Sequence, residues 1–210
     1  MRLFLRMGVL LIILLAAAGM GFAQAKGTLK CVGLYSETSE GQVSYRVGSG
    51  AWTVVKVGDT IPANAEIRVN VDRDWVEFTP SNNPNAVYEI DGPDSGELIK
   101  KVTDILKGKP KVVGFPKAAA GAADPKFKNK LVVTQYMGRH VYTTADGDEN
   151  DIRYGDVLQS GGKIRIIAIN ATVNLMNASG KVTQVIGPLD FTVDQVLNGE
   201  QLYKYLNVPR

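Results

Sequence analysis

Histidine and cysteine, the side chains on which most nucleophilic and zinc-dependent mechanisms rest, occur once each in this chain, as His140 and Cys31. They stand more than a hundred positions apart. The remaining candidates are carboxylates. Asp146-Gly147-Asp148-Glu149-Asn150-Asp151 crowds oxygen donors at alternate positions, as calcium loops do, with Asp146, Asp148, Asn150 and Asp151 as the candidate ligands. The match to an EF-hand is partial. Counting from Asp146 puts Asp151 where glycine is wanted and Val157 where glutamate is wanted, so the rival reading is an ordinary polar hairpin loop.

Asp59 and Asp156 form a second pair, each behind a glycine, and paired carboxylates serve as acid and base when a fold brings them close. Gly-Asp between apolar segments is also turn chemistry: glycine permits positive φ and aspartate bonds nearby backbone amides. The turn reading is the expectation here. His140 is expected as a half-exposed structural histidine in a hairpin, and Cys31 as a small buried side chain. Trp52 and Trp75 suit either a sugar-binding face or core and interface packing. Their counterparts later in the chain are Glu149 and Thr172, which favours packing. No cofactor, no resident metal and no enzyme follow from this set.

The elements that position these residues are written twice. Val57-Gly58-Asp59-Thr60-Ile61 and Ile67-Arg68-Val69 return 97 positions later as Tyr154-Gly155-Asp156-Val157-Leu158 and Ile164-Arg165-Ile166. Tyr45 and Tyr142, Gly50 and Gly147, Val76 and Val173, and Phe78 and Leu175 keep the same offset, while Gly92-Pro93 answers Gly187-Pro188. A period this long points to a copied domain, because solenoid and propeller units repeat at about 20 to 50 residues.

The expected fold is mainly β: two similar small β-rich modules, each followed by a short helix, over residues 29–106 and 131–210. In the first, Val43, Tyr45 and Val47 alternate with polar residues, Gly48-Ser49-Gly50 turns, and Trp52, Val54 and Val55 resume. Strands at 67–71, 75–78 and 87–90 follow. Leu98, Ile99, Val102, Ile105 and Leu106 then recur at helical spacing behind Ser95. The second module is expected to place strands at 131–136, 141–144, 163–169, 172–176 and 182–185, with a helix over 193–206. Residues 107–130, with seven lysines, one acidic residue and three prolines, read as a basic linker. It is either a solvated spacer or a strip that touches an anionic surface such as a cell-wall polymer or lipid headgroups.

Residues 1–25 have the parts of a secretory signal: Arg2 and Arg6, an apolar run over 7–18, and Ala23-Gln24-Ala25 before a mature start at Lys26. An uncleaved anchor is the alternative, but Gly19 and Gly21 close the run early. Export to the periplasm or beyond follows. Losing Arg2 and Arg6 takes the formal charge from +3 to +1, too little to gather nucleic acid. A single cysteine leaves no internal disulfide, so apolar cores must hold the modules.

Val43-Ser44-Tyr45-Arg46-Val47, Trp52, Val55, Val57-Gly58-Asp59-Thr60-Ile61 and the 67–69 strand together resemble the FecR-like domain of bacterial envelope proteins. The second copy resembles it more weakly. Gly41-Gln42-Val43 and Val57-Gly58-Asp59 follow that family's Gly-x-Val strand and Gly-Asp turn, whereas Asp72-Arg73-Asp74 and Asn170-Ala171 replace its Asp-Gly-Ser hairpin. The resemblance implies a small β-rich extracytoplasmic module with no catalytic residues. The expected role is a non-catalytic binding or scaffolding component of the envelope, with a protein or cell-wall polymer as partner. The alternatives are an extracytoplasmic sensor in FecR-type signalling and an envelope glycan-acting enzyme using Asp59, Asp156 or the 146–151 loop. Oligomeric state is not legible.

Overall fold

The computed structural model describes residues 27–36, 43–70, 74–117 and 122–202. The leader 1–25, Gly41-Gln42, Val71 to Arg73, the middle of the 107–130 segment and residues 203–210 lie outside them. The described chain is mainly β. Its first half holds β1 (Leu29–Tyr35), β2 (Ser44–Val47), β3 (Thr53–Val54), β4 (Thr60–Ile61), β5 (Ala65–Val69), β6 (Trp75–Pro80), β7 (Ala86–Asp91), β8 (Leu98–Lys101) and helix α1 (Val102–Ile105). After β9 (Lys111–Val112) come β10 (Lys130–Met137), β11 (His140–Thr143), β12 (Glu149–Asp151), β13 (Val157–Gln159), β14 (Lys163–Ile166), β15 (Thr172–Asn177), β16 (Val182–Ile186), β17 (Leu189–Thr192) and helix α2 (Val193–Leu197).

One large sheet runs in the order β16-β15-β10-β1-β6-β7-β9, with β13 also on β10 and β4 on β1. Two four-stranded sheets, β3-β2-β5-β8 and β12-β11-β14-β17, flank it. The pairings recur. Tyr45 lies opposite Thr53 and Ile67, and Tyr142 opposite Asn150 and Ile164. Cys31 faces Phe78 and Val133 faces Leu175, each next to a register shift, between Cys31 and Gly33 and between Val133 and Gln135. The halves meet where β1 and β10 pair in parallel, Gly33 beside Tyr136. A Cβ at position 33 would run into the Tyr136 ring, so glycine is what lets that ring lie across β1.

Strand alternation then sends side chains to two cores. Val76 and Phe78 pack with Leu29, Cys31, Ile67 and Val102, whereas Trp75 on the same strand joins Tyr136, Ile164, Leu175 and Phe191. Each buried Leu, Ile or Phe of this kind contributes about 1.5 to 3 kcal/mol.

Three expectations are corrected. Leu98 and Ile99 are strand rather than helix, because Leu98 to Lys101 add antiparallel to β5 from Val69 to Glu66, leaving one turn of helix after them. The second helix stops at Leu197, although Thr192 and Gln195 form a reciprocal cap at its start. Gly199 follows at φ 72°, which ends it. The described parts of the 107–130 segment, 107–117 and 122–130, are no free spacer: β9 pairs with β7, Val113 and Phe127 are buried, and Asp124 N–H donates to the Ala178 carbonyl. Its apolar residues find core, which the lysine-rich composition hides.

Candidate functional site

The most concentrated polar chemistry lies buried at the seam between the halves. Glu77 stands mid-strand in β6 among Trp75, Val76 and Phe78, and none of it is exposed. Its Oε2 accepts the Tyr154 N–H at 2.9 Å, while Oε1 has no hydrogen-bond partner. Trp75 Nε1 donates to the Tyr136 hydroxyl at 2.7 Å, and the Arg153 guanidinium lies 3.8 Å from the Trp75 ring centroid. Arg153 Nη1 also comes within 3.2 Å of Glu89 Oε1, a charge contact whose angle does not make a hydrogen bond. Burial raises the Glu77 carboxyl above its ordinary range, opposed by the Tyr154 N–H and the Tyr136 hydroxyl. Burial raises Glu89 too, with Arg153 opposing. These contacts clamp β6, β7, β10 and the 153–154 turn together. Glu77 is not among the residues singled out in the sequence, although a charge inside an apolar strand is its signal.

The two Gly-Asp pairs build the same turn. Lys56 N–H donates to Asp59 Oδ2 at 2.8 Å, and Arg153 N–H donates to Asp156 Oδ2 at 2.7 Å. Gly58 at φ 98° and Gly155 at φ 79° donate to the carbonyls of Cys31 and Val133 at 2.8 Å each. Cys31 and Val133 donate back to Asp59 and Asp156 at 2.9 and 3.0 Å. Each turn therefore stitches its half's first long strand, and each carboxylate is engaged in bracing it. Asp156 Oδ1 lies 3.4 Å from Lys111 Nζ as well.

The candidate calcium loop is the tip and outgoing strand of a hairpin. Thr144 N–H donates to the Asp148 carbonyl at 2.9 Å, Asp148 N–H to Thr144 Oγ1 at 3.1 Å, and Gly147 takes φ 97°. Glu149, Asn150 and Asp151 then extend as β12, where successive side chains point to opposite faces, and Asp151 is held by Arg139 Nε at 2.9 Å. Asp146 sits at the exposed turn. Among the described residues no three His, Cys, Asp or Glu side chains converge as a metal site.

His140 is buried rather than half-exposed, because it points under β15: its Nε2 lies 2.9 Å from the Thr172 carbonyl. A carbonyl only accepts, so the Nε2 carries the proton. Burial pushes its pKa below the ordinary value. Cys31 is fully buried, and burial raises its thiol.

The outward-facing chemistry is different. Trp52 is half-buried on the β3-β2-β5-β8 sheet, with the guanidinium carbons of Arg46 and Arg68 at 4.5 and 4.4 Å from its ring centroid. Arg46 grips Glu66 Oε2 through Nε at 2.8 Å and Nη2 at 2.7 Å. Arg68 Nε donates to Ser44 Oγ at 3.1 Å, and its Nη1 lies 3.7 Å from Glu97. The alternation of Arg46 and Arg68 with apolar neighbours announces their outward direction; cross-strand register brings them to one ring. This is a stiff aromatic and cationic surface, suited to binding. Trp75, in contrast, is core, its ring 4.3 Å from that of Tyr35.

No helix among the described residues is long and apolar enough to cross a membrane. Comparison with protein-family models, with curated proteins and with solved structures finds no match for the chain.

Proposed function

We propose that the chain is an exported, non-catalytic binding or scaffolding component of the bacterial cell envelope, formed by two FecR-like modules over 29–106 and 131–210 that contact a protein or cell-wall partner. The observation that carries this reading is the recurrence of one hydrogen-bonding plan in both halves, with Asp59 and Asp156 bracing the equivalent turn in each. Residues that sequence alone offers to catalysis are thereby engaged in structure, and the surface is left as the place where chemistry meets a partner.

Trp52 between Arg46 and Arg68 supports that, since tryptophan and arginine dominate binding hot spots. The leader at 1–25 supports export. Lys109, Lys117, Lys126 and Lys128 are exposed, which suits contact with an anionic surface. Because β1 and β10 share a sheet, the two modules act as one body. Two surfaces at fixed spacing gain effective concentration without a flexible tether.

The test is cross-linking of the tagged full chain in its native host, followed by fractionation and mass spectrometry. The expected product starts at Lys26, lies outside the cytoplasm and carries cross-links to envelope protein or glycan. Cytoplasmic protein with its leader intact, or envelope protein without cross-links, would contradict the reading.

A further inference from the structure

We infer that the edge of β16 left unpaired among the described residues is a docking site for an extended segment of a partner polypeptide, taken up as one more antiparallel strand. The inference rests on the reading of the chain as a binding component and says where and in what form the partner binds. Its ground is a comparison within the molecule. β7 lies against β6 with Ile90 opposite Val76 and Tyr88 opposite Phe78, and β16 lies against β15 with Val185 opposite Val173 and Thr183 opposite Leu175. The two strands hold corresponding places. The outer edge of β7 is occupied: β9 pairs there through Ala86 with Val112 and Val87 with Lys111, and Val113 N–H donates to the Asn85 carbonyl at 2.9 Å. Val113 is buried and the Phe115 ring packs at a tilt against that of Tyr154, centroids 5.3 Å apart. Among the described residues β16 has a partner on one side only.

The exposed edge is ready for pairing. At its two ends the Lys181 carbonyl accepts Asn177 N–H at 3.0 Å and Gly187 N–H donates to Ala171 at 2.9 Å, so the inward bonds fall on alternate positions. The backbone groups of Val182, Gln184 and Ile186 therefore point away from β15. Natural edges are usually protected by lysine, proline or a bulge. Val182-Thr183-Gln184-Val185-Ile186 carries no charge or proline and pairs in unbroken register, with Val182 46% and Ile186 45% exposed. Alongside it lies a cavity of about 110 Å³ lined by Val185, Ile186, Pro188, Leu189, Leu202 and Glu200. Its walls suit an apolar side chain, and Glu200 favours a basic neighbour. β9, a lysine and valine strand, has that composition on the edge it covers. Main-chain bonds along the edge would supply affinity and the cavity specificity.

The probe is a synthetic peptide of residues 109–117, titrated into the full-length protein and followed by amide chemical shifts. Saturable binding is expected, with shifts at 182–186 and none from a scrambled peptide. Gln184→Pro removes an outward N–H without touching the β15 ladder, and Ile186→Lys adds an edge charge; each is expected to weaken binding about tenfold or more. Absent binding, or binding that both variants leave unchanged, would overturn the site. So would binding gained only in a chain ending at Leu202, which means the edge is filled from within, or a dimer that Gln184→Pro dissociates, which means a second copy fills it. If both variants still capture envelope partners as wild type does, the binding reading stands and this site falls. If the edge takes the peptide but the chain captures nothing, the site stands and the envelope reading falls.

Discussion

Trp75 Nε1 donates to the Tyr136 hydroxyl at 2.7 Å, a buried bond that ties a strand of the first half to the long strand opening the second. The Tyr136 ring reaches it by lying over Gly33, the residue beside it in the parallel β1 and β10 pair. The bond joins the two halves across the seam. Removing the hydroxyl leaves an indole N–H without its acceptor and takes a stabilising partner from Glu77. Tyr136→Phe is expected to cost about 1 to 3 kcal/mol in denaturant unfolding, with both halves melting in a single transition. Two separate transitions in the wild type would show that the seam couples nothing.

The Glu77 carboxyl gives that seam a pH dependence of definite sign. Its folded-state pKa stands above the ordinary 4.5, so the native state holds this proton more tightly than the unfolded chain. The stabilisation is complete below the unfolded value and is lost as pH rises through the folded one. Glu89, also raised, adds in the same direction. His140 acts oppositely, since its pKa is lowered from 6.5 and stability falls as acid drives a proton onto the buried ring. Thermal melts of wild type and Glu77→Gln across pH 4 to 8 separate the two, about the range these groups span. The variant is expected to gain stability relative to wild type as pH rises, and parallel profiles would show that Glu77 has the same pKa in the folded and unfolded states.

Asp59 and Asp156 are expected to behave as turn braces. Asp59→Ala and Asp156→Ala should each lower unfolding free energy by about 1 kcal/mol through loss of one carboxylate bond to a backbone N–H. Asp156→Ala should cost the more, since that bond is part-buried and its other oxygen faces Lys111. Calorimetry of the two variants checks this. A variant that keeps its full stability while losing hydrolysis of an envelope glycan would return these residues to catalysis.

Much of the strand pattern was legible because alternation and turn chemistry are local. Trp75 to Phe78, Thr172 to Met176 and the Gly-Asp turns follow from neighbours in sequence. What escaped depended on distant pairing. Leu98 to Ile105 has helical spacing, yet the open edge of β5 draws its first part into a strand. The lysines of 107–130 mask Val113 and Phe127, whose burial needs cores formed elsewhere. Thr60-Ile61 and Val157 to Gln159 are too short to announce themselves and exist as strands only against β1 and β10. Among side chains, Trp52 drew notice, but its arginine neighbours came from cross-strand register that no single segment displays. Glu77 became a clamp only when residue 154 came within reach from the other half of the chain.

Under the proposed function, this protein works by binding through its surface. The direct measurement is a binding isotherm of the full-length mature protein on envelope fractions from its native host, run beside Trp52→Ala, whose ring lies outside both cores. Saturable binding by the wild type, weakened about tenfold by Trp52→Ala at unchanged thermal stability, is the expected result. Absent saturation, or a Trp52→Ala isotherm that overlays the wild type, would contradict it.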